Sequence, residues 1–270
     1  MDPEEEEVDE AQPIRLSMLK ELKYPIIWFN IYLFSITSVM ETLWFSMMTK
    51  CLIRKFDYTL EESNNLIASQ SIFAMVLVVM CSLYSQKYGR KNDLYIIAFV
   101  LMDICCVLLI KLKHRDDVMV YIALFHYSMF QAIQDPIGWA ALALCSPKSA
   151  VALSFGLAQF FNNVFGVLFP LFVGYLLRDD TAEGYDNALW TIFGISSFSF
   201  VIAVLSKIED MKIGGSLHHP ENSRHVRILK SCYLDKLRPR SELIGKSRWK
   251  DLMPLKNGIR LQNSSYNCRL

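Results

Sequence analysis

Along this chain apolar residues gather into six long runs, at 24–48, 65–84, 94–112, 118–144, 151–177 and 189–208, with polar residues confined to short stretches between them. Each run comes close to or exceeds the roughly 20 residues that a helix needs to cross a hydrocarbon layer of about 30 Å. In lipid an open strand would leave its backbone N–H and C=O groups unpaired, so each run is expected to be a helix. The expectation is an all-α integral membrane bundle of six transmembrane helices. A polar leader (1–23) precedes the membrane domain (24–210) and a basic tail (211–270) follows it.

The flanks are patterned differently. The leader opens with an acidic run, Glu4 to Glu7, and residues 1–12 are expected to be disordered. From Pro13 to Lys23, Ile14, Leu16, Leu19 and Leu22 alternate with Arg15, Lys20, Glu21 and Lys23, as in a short helix lying on a membrane surface. In the tail, Ser223 can cap a helix with Val226, Leu229, Tyr233 and Leu237 on one stripe. Its flanking Arg224, Arg227, Lys230 and Lys236 suit anionic inner-leaflet lipid, and a solvated basic tail is the alternative.

Composition agrees with the pattern. Of 270 residues, 53% are hydrophobic and 13% aromatic, above the apolar share of ordinary soluble domains. The formal charge is only +1, so the charge lies in blocks. Seven cysteines give no disulfide framework: Cys81, Cys105, Cys106 and Cys145 fall in or beside spans, Cys232 and Cys268 in the tail, and Cys51 alone would face the far side. The leader is acidic, so a cleavable signal is not expected and the first span would direct insertion. His218-His219 lacks further ligands at useful spacing, and no metal, cofactor or nucleic acid is expected. No nucleophile–base pair or phosphate-cradling loop stands at workable spacing, which argues against an enzyme.

Orientation follows from where Lys and Arg collect. The short loops are nearly balanced, and the basic tail decides for a cytosolic C-terminus; an even number of spans then puts the N-terminus there too. Asn263-Ser264-Ser265 fits the glycosylation pattern, but on the cytosolic side the enzyme would not meet it. The loops at 49–64 and 178–187 would lie on the opposite side, which also keeps the acidic dileucine-like Glu62 to Ile67 away from cytosolic sorting machinery.

Polar side chains at membrane depth are costly, of order 2.5–3.5 kcal/mol for an Asp at a helix centre, and so mark candidate function. The first run holds Asn30, Thr37, Ser38 and Glu41. In the fourth, Tyr127, Gln131, Gln134, Asp135 and Gly138 share a helix face; in the fifth, Gln159, Asn162, Asn163, Gly166 and Pro170 do. Two such stripes imply a shared wet cavity, for which the candidates are Asn30, Glu41, Tyr127, Gln131, Gln134, Asp135, Gln159 and Asn163. The alternative for the amides is interhelical glue at about 0.6 kcal/mol apiece. Asp135 precedes Pro136, whose ring frees a backbone carbonyl where a carboxylate already sits. Asp103, alone in the third run, needs a partner on an adjacent helix.

Between the second and third runs lies a short basic turn, Ser82 to Lys91. Its Gly89, Arg90 and Lys91 match the end of the G-x-x-x-D-x-x-G-R-K/R loop of the major facilitator superfamily, with Ser82 and Gln86 in place of the first Gly and the Asp. The stretches Tyr127 to Pro136, Ser146 to Lys148, Ser154 to Asn163 and Val173 to Asp179 resemble spans ten and eleven of that superfamily's lysosomal dipeptide transporters. In this chain Phe155 replaces a Tyr, and Asp135 stands before the proline where a bulky apolar residue is usual. The resemblance covers about residues 24–210. It implies the second half of a twelve-span carrier, a passive uniporter-type exporter of dipeptides or other small organic solutes from the lysosome, often beside a glycosylated accessory membrane protein. Only six spans are present, so a non-transporting six-span subunit or a truncated product is the alternative. Facilitator halves are related by an axis along the membrane normal with substrate between them, so a homodimer or a complementary six-span half is expected.

Overall fold

The computed structural model describes residues 22–147, 150–212 and 217, and in them six α-helices: α1 Pro25–Phe56, α2 Leu60–Tyr88, α3 Lys91–Lys111, α4 Asp117–Cys145, α5 Val151–Leu176 and α6 Ala182–Lys212. Five of the six are long and apolar enough to cross a membrane. The exception is α4, which has the length but is diluted by Gln131, Gln134, Asp135 and their polar neighbours. The surface helix at 13–23, apart from its last two residues, lies outside the described residues, as do the tail helix from Ser223, His218-His219 and Asn263.

Central to the bundle, α1 packs against α2, α4, α5 and α6, and it buries residues on every side. Trp44 of α1 stacks on Tyr127 of α4 with ring centroids 3.9 Å apart and planes 7° from parallel. The Trp44 indole N–H donates to the Gln70 side chain of α2 at 3.1 Å, and the Ser128 hydroxyl to the Gln70 carbonyl at 3.0 Å. Small residues let α6 approach closely: Ser196, Ser199, Ala203 and Ser206 are buried, and the Ser196 hydroxyl donates to the Phe99 carbonyl of α3. Asp103 finds its partner on that helix, accepting from Ser197 at 3.1 Å. At the rim, α5 buries only Ser154, Ala158 and Val173; the Ser35 hydroxyl of α1 donates to the Ala158 carbonyl at 2.8 Å.

Three expectations are corrected. The first helix does not stop at 48: Cys51, Leu52 and Phe56 continue its buried stripe, so Lys50, Arg54 and Lys55 are helical. Cys51 is accordingly fully buried and does not face the far side. Only 57–59 remain as the connection, closed by Asp57 in the left-handed region at φ 55° and by a capping box: the Thr59 hydroxyl accepts from the Glu62 N–H, and the Glu62 carboxylate accepts from the Thr59 N–H at 2.8 Å. The basic turn is likewise shorter than Ser82 to Lys91. Helix α2 runs to Tyr88 and α3 begins at Lys91, leaving Gly89 (φ 71°) and Arg90 (φ 52°) to reverse the chain. Lys91 is buried and its backbone N–H donates to the Leu217 carbonyl at 2.9 Å; the Asp210 carboxylate accepts from both Leu217 N–H and Asn92. Finally, α6 is longer at both ends than 189–208.

At the opposite ends of the helices, charged side chains lace the bundle. Arg54 pairs with Asp180 at 2.7 Å, Lys55 with Asp186, and Arg115 with Glu62 and Asp117. Lys55 also donates to the Leu109 carbonyl at 2.7 Å, which satisfies one of the open carbonyls at the end of α3.

Candidate functional site

The polar stripes of α1, α4 and α5 meet at a recess of about 190 Å³. From α1 come Phe34, Thr37, Ser38 and Glu41, one helix face at spacings of three and four; α4 adds Phe130, Gln131, Gln134, Asp135, Gly138 and Trp139; α5 adds Gln159 and Asn162. Gly138 lets Phe34 lie close: a Cβ there would come within 3.1 Å of the Phe34 ring. Phe34 in turn meets Trp139 edge-on with centroids 4.7 Å apart.

Two carboxylates face this space. Glu41 accepts from the Gln131 amide at 2.6 Å, a short charge-assisted bond that ties α1 to α4. Asp135 lies one turn further along α4 and is open to the recess. Gln134 is different in kind. It is 5% exposed, it lines the recess, and neither its amide nitrogen nor its oxygen has a hydrogen-bond partner among the described residues. Leaving a buried amide unmet costs about 1–3 kcal/mol, so Gln134 carries unused hydrogen-bonding capacity at the wall of the recess.

Of the expected cavity residues, Glu41, Gln131, Gln134, Asp135 and Gln159 are brought together, and three are not. Tyr127 is fully buried behind the recess, stacked on Trp44, so the stripe that carries Gln131 ends in core packing. Asn30 lies toward the other end of α1 as an interhelical clamp. Its amide donates to the Ile26 carbonyl at 2.8 Å and to Ser206 at 3.2 Å, with Cys145 sulfur at 3.6 Å. Asn163 stands beside the recess, exposed, accepting from Gln159 at 3.3 Å; its neighbour Asn162 lines the space instead. The turn residues Gly89, Arg90 and Lys91 take no part in the recess; they lie at the helix ends. The aromatic walls Phe34, Phe130 and Trp139 were missed by a search for polar residues, although Phe34 stands two turns before Glu41. No group of three metal-ligating side chains occurs among the described residues.

Three curated relatives are similar over parts of the chain, each a probable galactarate/D-glucarate transporter GudP. The Escherichia coli (strain K12) protein is 32% identical over 76 residues, 28% of this chain and 16% of that protein. The Bacillus subtilis (strain 168) protein is 24% identical over 128 residues, 47% of this chain and 26% of its own length. The Pseudomonas putida protein is 26% identical over 92 residues, 33% of this chain and 20% of its own length. The chain thus matches about a quarter or less of each of these relatives. The family model of the Major Facilitator Superfamily matches residues 27–252, most of the chain, and with its six-helix bundle the chain belongs to that superfamily.

Proposed function

We propose that this chain forms one wall of a carrier for small polar organic solutes, with the recess between α1, α4 and α5 as its substrate face. The observation that supports this most is Gln134, a buried amide with both hydrogen-bonding ends unmet among the described residues, on the same recess as the carboxyl groups of Glu41 and Asp135. Such a group offers a donor and an acceptor to a solute that displaces its neighbours, beside the aromatic walls Phe34 and Trp139.

The paired carboxylates favour a solute with a cationic or donor-rich end, and the ammonium group of a dipeptide fits that demand. The dipeptide reading carries with it a uniporter-type carrier in the lysosomal membrane, both termini cytosolic, alongside a glycosylated accessory protein. A second reading is a sugar acid, favoured by the similarity to the galactarate/D-glucarate transporters; its hydroxyls would serve Glu41 and Asp135 as donors. In either case α5, which lines the recess, exposes Phe160, Val167, Leu171 and Tyr175, so a second copy or a complementary six-span half is expected to complete the cavity.

Thermal melting of the purified chain in lipid nanodiscs, with a dipeptide such as glycyl-leucine or with D-glucarate, separates the readings. A solute bound only by the folded chain raises the midpoint as its concentration passes Kd. The solute class that raises it, and fails to do so in Gln134→Met, is the substrate class. A midpoint unmoved by either solute refutes the reading of the recess.

A further inference from the structure

A second and larger recess, of about 540 Å³, lies between α1, the end of α5 and the turn into α6, at the end of the bundle that carries Arg115. We propose that it is an electropositive antechamber that takes the carboxylate of a small organic anion before the solute reaches the Gln134 recess.

Its cations are Lys50 of α1 and Arg178 of the α5–α6 turn, both exposed and both without a hydrogen bond or ion pair from their side chains among the described residues. The one acid on its wall, Asp180, is already engaged: it accepts from the Tyr185 hydroxyl at 2.9 Å and pairs with Arg54 at 2.7 Å, so the more distant Lys50 only adds its field to that carboxylate. Nearby Lys55 and Asp186 neutralise each other, and Asp179 does not line the space. Arg178, with no side-chain partner among the described residues, and Lys50, which shares Asp180 with Arg54 through its field alone, therefore face a concavity whose remaining wall is largely apolar, through Leu43, Met47, Pro170 and Val173. Low-dielectric walls focus the field of such charges into the concavity and raise the local concentration of an anion. Arg178 adds a planar fork matched to a carboxylate, and Lys50 a mobile point charge.

Along α1, Lys50 stands nine residues beyond Glu41, about 13 Å at the rise of a helix. A solute the size of a dipeptide or a hexaric acid does not occupy both places fully, so the two are successive stations. The proposal rests on the carrier reading for the solute's onward step, and the antechamber itself is testable without transport. It narrows the substrate to a carboxylate-bearing solute.

The test uses Ser46, an exposed residue on the same wall. In the full chain in lipid nanodiscs carrying Ser46→Cys, modification at that position by the anionic sulfonatoethyl and the cationic trimethylammonioethyl methanethiosulfonates is followed by peptide mass spectrometry. That readout separates it from the native cysteines. Normalised to a free thiol in solution, the anionic reagent is expected to be favoured roughly threefold to tenfold. The Lys50→Gln/Arg178→Gln pair should abolish the preference, and Arg178→Lys alone should keep most of it. D-glucarate should slow the modification and neutral D-glucitol should not. No anionic preference, or equal protection by the two polyols, overturns the antechamber. A preserved preference in a chain that carries no solute leaves the antechamber standing and sinks the carrier reading alone.

Discussion

Gln134 and Tyr127 stand two turns apart on α4, both buried, but only Gln134 lines the recess. Because neither end of the Gln134 amide is met, Gln134→Met replaces it at nearly constant volume and removes two unpaired polar atoms. Stability should stay within about 1 kcal/mol of the parent or rise, while solute-induced stabilisation is lost. A fall of several kcal/mol, read by denaturant or thermal unfolding in nanodiscs, would mean that Gln134 is structural. For Tyr127→Phe the expectation is reversed in emphasis: the ring stack on Trp44 survives and the hydroxyl has no hydrogen-bond partner among the described residues, so both fold and solute response should persist. Trp44→Ala should cost about 3–5 kcal/mol, since it removes the ring on which Tyr127 lies. Residue identity alone separated these roles poorly. Helical spacing put Tyr127 and Gln131 on one face, but it did not say how deep Trp44 of another helix would reach over that face. Asn30 escaped for the same reason, its Ser206 partner being 176 residues away.

At the scale of elements, apolar runs located all six helices, while their ends depended on signals that hydropathy does not hold. Lys55 looked like a loop residue because it is charged; its side chain is only 4% exposed, folded against the Leu109 carbonyl and Asp186. The reversal between α2 and α3 needs a backbone that side chains resist. Gly89 sits at φ 71° and ψ −119°, and Gly89→Ala should destabilise the chain by roughly 1–3 kcal/mol. An unfolding midpoint unchanged by that substitution would contradict the turn geometry. At the other end, the Tyr185 hydroxyl and Arg54 hold the Asp180 carboxyl below its ordinary value of 3.8. A depressed pKa in the folded chain contributes stability that is present above the unfolded value and is lost as pH falls through the folded one. Stability from the α1–α6 link should therefore be flat near neutrality and weaken only in acid below that ordinary value. In Asp180→Asn this acid-dependent part should vanish; an identical pH profile in parent and variant would show that the link contributes nothing.

For the whole molecule, the bundle is asymmetric in what it covers. Helix α1 is mostly buried, with an exposed strip at Thr42, Phe45, Ser46 and Lys50, whereas α2 and α5 expose long apolar faces, through Phe73, Val76, Met80 and Leu83 on one and Phe160, Leu168, Leu171 and Tyr175 on the other. Lipid suits those faces but not Gln159 and Asn163, which stand exposed among them. Cysteines at Gln159 or Asn163 should cross-link between copies in a bilayer under mild oxidation if a second chain covers them, whereas one at buried Gln134 should not. Monomers at every protein-to-lipid ratio would exclude the homodimer. Orientation is open to a separate check: a cysteine at exposed Gln86 should resist a membrane-impermeant reagent added outside sealed, cytosol-inward vesicles, and ready modification would invert the topology. A six-helix membrane bundle was legible from the apolar runs, and the recess was foreshadowed by two polar stripes. Which stripe residues meet depended on side-chain depth, and the second recess was hidden because Lys50 and Arg178 lie 128 positions apart, one on a first helix that runs on past its apolar stretch and the other in the turn after α5. The central claim is that the recess around Gln134 carries solute. Its most direct test is uptake of labelled glycyl-leucine and D-glucarate into liposomes containing the purified chain or its Gln134→Met variant at equal folded yield. Saturable uptake of one solute by the parent and at least tenfold less by the variant is the expected result if a second copy completes the cavity; uptake by the parent that the variant matches would contradict it.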